Sequence, residues 1–351
     1  QPSHYLLAIL GRKIIDLITE RAKLYIEELK GRKEESTSVY SPLDRIKVFE
    51  LIEAFNSGPI TNDIYKKIFN ELISNSLAVV QPVSVAFLGP IGTFTQIALL
   101  EIFGESVETF PQKTISDVFH EVEMGRVSLG VVPVENSTEG AVTYTLDELL
   151  DTDLGIVSEK FLRISYSLLS LCSDIKDVRK LYTHPQPLAQ CKTWLRRNLP
   201  DVEVHQVNST ALAAETASWD KYSAALASDI SGKIYNLNVL ATHIEDSKQN
   251  YTRFLVIGKK DNAPTGNDKT SIVCAVKDKP GALYNLIKPF FESGINMTKI
   301  ESRPDKKKMW EYNFFIDFKG HRDDSEVKVV LDKIKGETLF LKILGSYPVG
   351  N

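Results

Sequence analysis

The chain has 351 residues, of which 43% are hydrophobic and 25% charged, with a formal net charge of −4 and a pI of about 6.0. This length predicts two or three domains, and the mild acidity argues against a nucleic-acid or membrane-surface partner. No apolar run is long enough to span a membrane, and the N-terminus lacks a signal-peptide pattern. The three cysteines are isolated, which is typical of a reducing compartment, so we expect a cytoplasmic protein.

The first 82 residues are predicted to be helical. Residues 5–30 carry Leu and Ile at helical spacing, Pro42 fits the first turn of a second helix, and a third helix is predicted over 61–79. Its inward side is expected to carry Ile64, Ile68, Leu72 and Ile73. Three helices around one seam leave apolar surface exposed in a single chain, which predicts that two chains pair through this region.

From Val83 to about Lys260, apolar strands alternate with amphipathic helices, which predicts an α/β sheet with mainly parallel strands. Five junctions place polar side chains after a strand, and the most polar of these reads VVPVENSTEG over Val131–Gly140. Helix starts offer unpaired N–H groups and a partial positive charge, so the junctions predict a cleft for a small anion. Taken alone, the VVPVENSTEG cluster could also be an ordinary helix N-cap followed by a turn.

Beyond a polar linker at 261–268, the pattern is strand, helix, strand, strand, helix, strand, as in the ferredoxin-like arrangement. The basic turn Lys306–Lys308 is interpreted as a solvated hairpin tip rather than a nucleic-acid contact. Histidines show no metal-ligand spacing with cysteines or carboxylates, so we expect neither a metal nor another cofactor.

Four motifs follow one another along the α/β region: FLGPIGTFTQIA (Phe87–Ala98), VVPVENSTEG (Val131–Gly140), His184–Pro187 with Gln190 and Cys191, and YTRF (Tyr251–Phe254). Together they resemble the prephenate dehydratase family, in the family's order and spacing. Downstream, KPGALYNLI (Lys279–Ile287) and KIESRP (Lys299–Pro304) resemble the phenylalanine-sensing ACT domain. The first eighty residues resemble the all-helical chorismate mutase that is fused to the dehydratase in bifunctional enzymes.

The resemblance implies three domains. Residues 1–82 would be a chorismate-mutase-like helical domain, and residues 83–260 a dehydratase domain with two α/β lobes like those of periplasmic binding proteins. The apolar stretch Phe161–Leu171 would begin the second lobe, and Tyr251–Gly258 would return to the first. Residues 268–351 would be a ferredoxin-like ACT domain.

The implied reaction converts prephenate to phenylpyruvate with loss of water and carbon dioxide. Thr252 of the family's TRF motif would polarise the leaving hydroxyl, and Arg253 would either bind a substrate carboxylate or form a structural ion pair. Glu135 would be a general acid if burial favoured its neutral form, or would pair with Arg253. His184 would be an acid or base, or a positioned hydrogen-bond donor.

The remaining site residues implied by the resemblance contact the substrate. They are Thr93, Thr95, Asn136, Ser137, Thr138, Ser209, Thr210 and Phe254. Cys191 is interpreted as a buried packing residue rather than a catalytic thiol.

The two ACT motifs imply a phenylalanine site between paired ACT domains, hence a homodimer or tetramer. Its residues would be Gly281, Ala282, Leu283, Glu301, Ser302, Arg303 and Pro304. A glycine at a helix start lets a carboxylate approach the backbone, although the same residues could form an ordinary helix entry after Pro280.

The helical domain departs from the mutase pattern. Of the predicted pocket residues, Arg21 and Ser76 match the pattern and Arg32 stands where a lysine is usual. The usual Arg-Glu pair at the start of the second helix is replaced by Asp44-Arg45, and Val80 stands where a glutamine is usual. Chorismate rearrangement needs a cationic cage for a dicarboxylate. We therefore expect a dimerisation domain with a degenerate pocket.

Three alternatives remain open from the sequence. The first is a fully bifunctional enzyme that also acts on chorismate, and the second is a dehydratase that prefers arogenate. The third is a non-catalytic amino-acid sensor, against which Thr252 and Arg253 argue. The absence of GxGxxG after a strand argues against a dehydrogenase.

Overall fold

A computed structural model describes residues 2–34, 40–259, 261–276, 279–304 and 312–350 of the chain. The Lys306–Lys308 turn lies outside these ranges. Residues 1–85 with 100–109 form one compact unit, and residues 86–99 with 110–351 form a second. Within the described ranges, every helix is too short or too polar to cross a bilayer.

Three helices dominate the first unit, where the sequence predicts them: α1 (Pro2–Glu34), α2 (Pro42–Phe55) and α3 (Asn62–Val80). Both α1 and α2 pack on α3, and the buried side chains include Leu29, Ile52, Ile73 and Leu77. The prediction that Ile64 and Ile68 face inward is wrong for the single chain, where they are 49% and 45% exposed. Along the first part of α1, the exposed apolar side chains include Leu6, Leu7, Leu10, Ile14 and Leu17.

The rest of the chain alternates strands and helices. The strands are β1 (Ser84–Leu88), β2 (Glu108–Gln112), β3 (Leu129–Asn136), β4 (Gly140–Ala141), β5 (Gly155–Arg163), β6 (Ser167–Ser170), β7 (Lys180–Thr183), β8 (Glu203–Gln206), β9 (Ser223–Ala227), β10 (Asn238–Ala241), β11 (Tyr251–Gly258), β12 (Asp268–Val276), β13 (Met297–Pro304), β14 (Tyr312–Lys319) and β15 (Thr338–Pro348). The helices are α4 (Phe94–Phe103), α5 (Ile115–Glu123), α6 (Thr143–Asp151), α7 (Pro185–Gln190), α8 (Lys192–Asn198), α9 (Thr210–Ala217), α10 (Asp229–Ile234), α11 (Ala282–Glu292) and α12 (Ser325–Glu337), and a 3₁₀ turn spans Ile175–Asp177.

Two sheets form two α/β lobes, as predicted. The first has the order β2-β1-β3-β11-β5 with β4 beside β3, and the second has the order β10-β6-β9-β7-β8. The prediction of mainly parallel strands needs correction. Strand β7 is parallel to β8 and β9, but β11 is antiparallel to β3 and β5, and β6 is antiparallel to β9 and β10. Strand β11 enters its sheet from the other lobe, which reverses its direction.

The chain crosses between the lobes twice. The apolar stretch Phe161–Leu171 therefore does not belong wholly to the second lobe, because it contains the end of β5, a crossing segment and β6. The Ile164 N–H donates to Asn250 O at 2.8 Å, and the Ile244 N–H donates to Tyr166 O at 3.2 Å. The outgoing and returning segments thus lie side by side.

Strands β12 to β15 and helices α11 and α12 form the predicted ferredoxin-like fold, with sheet order β13-β14-β12-β15. One sheet face packs on the two helices through Ile272, Ile316 and Phe318. The other face carries Val273, Phe315, Leu344 and Tyr347, which share one hydrophobic cluster with Leu146 and Leu255 of the first lobe. At Gly345, a Cβ would collide with Ile156 O, so only glycine permits this approach of β15 to β5.

Candidate functional site

A polar cluster lies where β3 ends and β11 begins. The Asn136 Nδ2 group donates to Thr252 Oγ1 at 2.8 Å and to Asn250 Oδ1 at 2.9 Å. The Asn136 Oδ1 atom accepts from the backbone N–H groups of Thr138 at 2.9 Å and Glu139 at 3.2 Å. Asn136 is only 8% exposed and uses all its polar atoms, so it organises the cluster rather than offering a free donor.

Thr252 gains a defined orientation from this arrangement. Its oxygen accepts the Asn136 hydrogen bond, and the side chain is half-buried at the start of β11. A hydroxyl whose oxygen already accepts still has its own proton to donate. In the described part of the chain, the Thr252 hydroxyl has no acceptor for its own proton, and its O–H group can therefore serve a bound molecule.

The cluster continues into the second lobe. Asn250 donates from Nδ2 to Gln190 Oε1 of α7 at 2.7 Å and is 3% exposed. Tyr166 also hydrogen-bonds Asn250, and burial raises the pKa of its phenol well above the ordinary value. Sequence reasoning missed Asn250 and Tyr166 as site residues; the position of Asn250 directly before the YTRF motif was the signal available.

The loop after β3 is held in place by the hydroxyl group of Ser137. Ser137 Oγ donates to Gln249 O at 2.9 Å and accepts from the Tyr251 N–H at 2.9 Å. This hydroxyl therefore fixes the loop to β11. Thr138 is exposed beside it, with its backbone N–H bound to Asn136.

The glycine-rich turn before α4 forms a second contact between the lobes. Ser228 Oγ and Ser231 Oγ both donate to Gly92 O, at 2.9 and 2.8 Å. Gly92 has φ +90°, and a Cβ there would lie 2.8 Å from Ser231 Oγ. Two predicted residues follow this turn: Thr93 donates to Leu88 O at 3.2 Å, and Thr95 is buried.

The predicted residues of the second lobe act as helix caps. His184 is the N-cap of α7, and its Nδ1 atom accepts from the Gln186 N–H at 3.3 Å, which places any proton of a neutral ring on Nε2. Ser209 is the N-cap of α9, with Oγ accepting from the Leu212 N–H at 3.0 Å, and Thr210 begins that helix. Burial raises the pKa of the Cys191 thiol to about 12, which favours packing over nucleophilic chemistry.

Arg253 and Glu135 point away from this cluster. They are cross-strand partners on β11 and β3, each next to a cluster residue, and adjacent strand residues face opposite sides of the sheet. Glu135 lies 2.7 Å from Lys299 Nζ and 3.8 Å from Arg253 Nη1. Of the two roles considered for each residue, the geometry favours the ion pair. Phe254 is 2% exposed and packs in the interior.

Arg253 is the centre of a buried charge network. Its Nε donates to Glu159 at 2.7 Å, Nη1 to Asp317 at 2.6 Å and Nη2 to Tyr347 Oη at 2.9 Å. Lys269 Nζ also binds Glu159, at 2.7 Å. Burial alone would lower the pKa of Arg253, but Tyr347, Asp317 and Glu159 raise it above its ordinary value. Two cations thus balance two carboxylates away from solvent.

The predicted effector residues occupy two elements of the ferredoxin-like domain. Gly281 has φ +82° and is the N-cap of α11, where Ala282 and Leu283 begin the helix. On β13 the second motif alternates between half-buried and exposed positions. Glu301 and Arg303 are half-buried, whereas Ser302 and Pro304 are exposed.

In the helical unit, an internal carboxylate occupies the predicted mutase-like pocket. Arg32 Nη1 and Nη2 bind Asp44 Oδ2 and Oδ1 at 2.7 and 2.8 Å, and Tyr25 donates to Asp44 Oδ2 at 2.7 Å. Burial, then Asp44, raises the pKa of Tyr25. The Asp44 side chain thus binds the cation that a substrate carboxylate would need.

The other pocket residues also have internal partners. Arg21 lies over the rings of Tyr25 and Phe69. Arg45 donates to Glu101 O at 2.8 Å, and burial lowers its pKa. Ser76 is buried and donates to Leu72 O of its own helix at 2.7 Å.

No cluster of three or more metal-ligating side chains occurs within the described ranges. The chain has two α/β lobes joined by a double crossing, and a cluster of neutral amide and hydroxyl groups lies at that crossing. Together with the appended ferredoxin-like domain, these features define a small-molecule-binding α/β protein with a regulatory module.

Comparison with known proteins identifies the family. Residues 85–262 match the prephenate dehydratase family model, and residues 270–336 match the ACT domain model. The chain is 46% identical over 345 residues to an Aquifex aeolicus protein named bifunctional chorismate mutase/prephenate dehydratase, covering 97% of this chain and 95% of that protein. The chain therefore belongs to the prephenate dehydratase family and is an enzyme of that family with an ACT domain.

Two solved structures match the dehydratase and ACT regions. A prephenate dehydratase from Arthrobacter aurescens, described in complex with L-Phe, has a TM-score of 0.71 at 33% identity, covering 76% of this chain and 90% of that one. GqqA, described as a novel type of quorum quenching acylase, has a TM-score of 0.70 at 29% identity, covering 76% and 98%. One fold thus carries differently described activities, and the residues of the site decide the reaction.

Proposed function

We propose that the chain removes water and carbon dioxide from prephenate to give phenylpyruvate at the Asn136–Thr252 cluster. The observation that carries this proposal is the 2.8 Å hydrogen bond that orients the Thr252 hydroxyl. The ring carboxylate leaves as carbon dioxide, its bonding electrons enter the ring, and the ring hydroxyl departs and takes up a proton to become water. Aromatisation drives the reaction, so the protein needs only to orient and stabilise.

Thr252 donates its O–H hydrogen bond to the departing hydroxyl. A threonine hydroxyl is too weak an acid to transfer its proton fully, so it polarises the C–O bond while charge develops on oxygen. Asn136, by holding the Thr252 oxygen, lowers the cost of orienting that donor at the moment of reaction. The uncharged cluster also leaves the ring carboxylate poorly solvated, which favours its loss.

Prephenate fits this site better than arogenate, which carries an ammonium group on its side chain. Glu135, the carboxylate next to Asn136, faces Lys299 instead of the cluster. We expect kcat/KM for prephenate to exceed that for arogenate by about tenfold or more, since the neutral amide and hydroxyl groups of the cluster give an ammonium group no counter-charge of their own. Parallel assays of both substrates on the same preparation check this expectation. Equal values would contradict it, and a higher value for arogenate would assign the enzyme to the arogenate class.

The helical domain is proposed to lack mutase activity. Asp44 neutralises Arg32, and Arg45 is bound to a backbone carbonyl, so a dicarboxylate would have to displace internal partners. Purified enzyme given chorismate should form no phenylpyruvate, whereas the same enzyme given prephenate should form it. Product from both substrates would show that the pocket works despite Asp44 and would support a bifunctional enzyme, the name given to the Aquifex relative.

Phenylalanine is proposed to inhibit the enzyme through the ACT domain, as suggested by the L-Phe complex of the Arthrobacter relative. Gly281 has φ +82°, a conformation that a β-branched residue rarely adopts. Gly281→Val should raise the half-inhibitory phenylalanine concentration by about tenfold or more, because strain and bulk at the start of α11 disturb the effector site.

The matched control is Gly294→Val. Gly294 also has positive φ, at +65°, with open space around its Cβ position, but it follows the other end of α11. Its inhibition should stay near the wild-type value. Equal desensitisation by both variants would relocate the effector site away from Gly281.

The enzyme is proposed to work as a homodimer or tetramer. Several apolar side chains of α1, together with Ile64 and Ile68 of α3, are exposed in the single chain, and a second copy would cover them. Sedimentation analysis should show a dimer or larger species. A monomer at micromolar concentration would contradict the proposal.

A further inference from the structure

Strand β13 carries the predicted effector residues 301–304 and is called the effector strand below. It has two faces with different neighbours. Ser302 pairs with Phe314, which packs against the core formed with α11 and α12. Lys299 pairs with Asp317, which binds Arg253 on the side of the catalytic lobe. Because strand residues alternate, Arg303 faces the same side as Lys299. The predicted effector motif is therefore divided between two surfaces.

Lys299 binds the end of strand β3. Its Nζ atom lies 2.7 Å from Glu135 Oε2, and its side chain is 12% exposed. Glu135 directly precedes Asn136, the residue that holds Thr252. A displacement of β13 at Lys299 would therefore act one residue away from the cluster.

Arg303 binds α6, the helix that follows the loop at 137–142. Its Nη2 atom lies 3.3 and 3.5 Å from the two carboxylate oxygens of Asp147 on α6. Lys342 of β15 secures the end of the same helix by donating to Leu149 O and Leu150 O at 3.0 Å, and also to Thr152 O. A cation at a helix C-terminus satisfies carbonyls that have no partner within the helix.

Together these contacts bracket the loop at 137–142. Lys299 holds the strand before the loop, and Arg303 and Lys342 hold the helix after it. The loop itself contributes the Thr138 and Glu139 N–H groups that bind Asn136. The position of β13 therefore constrains both ends of the segment that organises the Asn136–Thr252 cluster.

We propose that Lys299 and Arg303 are positioning residues that couple the effector strand to catalysis. Arg303 transmits effector occupancy to α6 rather than binding the effector, and the opposite face of β13, which carries Ser302, faces the effector. This inference rests on the proposed dehydratase function and its control by phenylalanine. It assigns the communication to two ion pairs between the ACT domain and the first lobe.

The test separates binding of phenylalanine from its effect. In the intact 351-residue chain, Arg303→Met should lower kcat by about threefold or more and weaken maximal inhibition by a similar factor. Its calorimetric dissociation constant for phenylalanine should stay within about threefold of wild type, since coupling rather than binding is lost. Loss of binding would make Arg303 an effector ligand and overturn the proposal, as would unchanged kcat and inhibition.

A charge exchange between Arg303 and Asp147 distinguishes loss of the ion pair from a general folding defect. Arg303→Asp combined with Asp147→Arg should recover much of the kcat that either single variant loses, because the pair is restored in reverse. Single-variant losses that simply add would overturn the proposal. The matched control is Lys333→Met, which breaks a contact with Glu292 inside the ACT domain and should change neither kcat nor inhibition.

The readouts also distinguish failure of the underlying function. If wild-type enzyme turns over prephenate but does not bind phenylalanine, the proposed regulation fails, and the kcat values of the charge exchange still decide whether the pair positions the loop. If wild-type enzyme does not turn over prephenate, the proposed activity fails, and the positioning role fails with it.

Discussion

Thr252→Val should reduce kcat for prephenate by about 10²–10³-fold while leaving the fold and KM nearly unchanged. The substitution keeps the shape of the side chain but removes the hydroxyl that Asn136 orients at 2.8 Å. Losing one preorganised donor to a developing oxyanion has an effect of this size in other enzymes. The measurement is the initial rate of phenylpyruvate formation over a range of prephenate concentrations.

Two further variants sharpen this result. Thr252→Ser keeps a hydroxyl and should retain a substantial part of the rate. Thr109→Val makes the same substitution on the edge strand β2 and should leave turnover unchanged. Wild-type turnover by Thr252→Val would remove Thr252 from the mechanism.

Arg253→Met should destabilise the second unit by about 3–5 kcal/mol, because it leaves Glu159 and Asp317 buried with only Lys269 as a cation. The hydrogen bond to Tyr347 is lost as well. The shift of the urea unfolding transition measures this loss. KM for prephenate should change little in the fraction that remains folded, since the guanidinium faces away from Thr252.

Arg126→Met is the control for Arg253. The side chains of the Arg126–Glu121 pair are 59% and 21% exposed, and its removal should cost less than about 1 kcal/mol. Unchanged stability of Arg253→Met together with a raised KM would return Arg253 to substrate binding.

The contrast between Thr252 and Arg253 shows what a motif can predict. The YTRF motif identified both as important, and strand alternation places neighbours on opposite faces. Which face meets the substrate depends on the ferredoxin-like sheet packed against Arg253, and one strand's sequence does not contain that information. Glu135 and Asn136 divide between the same two faces on β3.

Contacts between distant parts of the chain were the least predictable. Asn250 and Gln190 are 60 residues apart in sequence and meet only because the chain crosses twice between the lobes. By contrast, the charge reversal at Asp44 was visible in the sequence, and the structure adds that the carboxylate binds Arg32.

Exposure of Ile64 and Ile68 was missed for another reason. Helical periodicity identifies an apolar face but not whether the same chain or a second copy covers it. The domain pattern of the C-terminal region was easier to predict, since each of its elements has a strong local signal.

The most direct test is the stoichiometry of prephenate turnover by the purified enzyme. The proposed chemistry predicts one phenylpyruvate and one carbon dioxide for each prephenate consumed, with both rates falling together when phenylalanine is added. Folded protein that binds phenylalanine but leaves prephenate unchanged would contradict the dehydratase proposal and favour a non-catalytic amino-acid sensor.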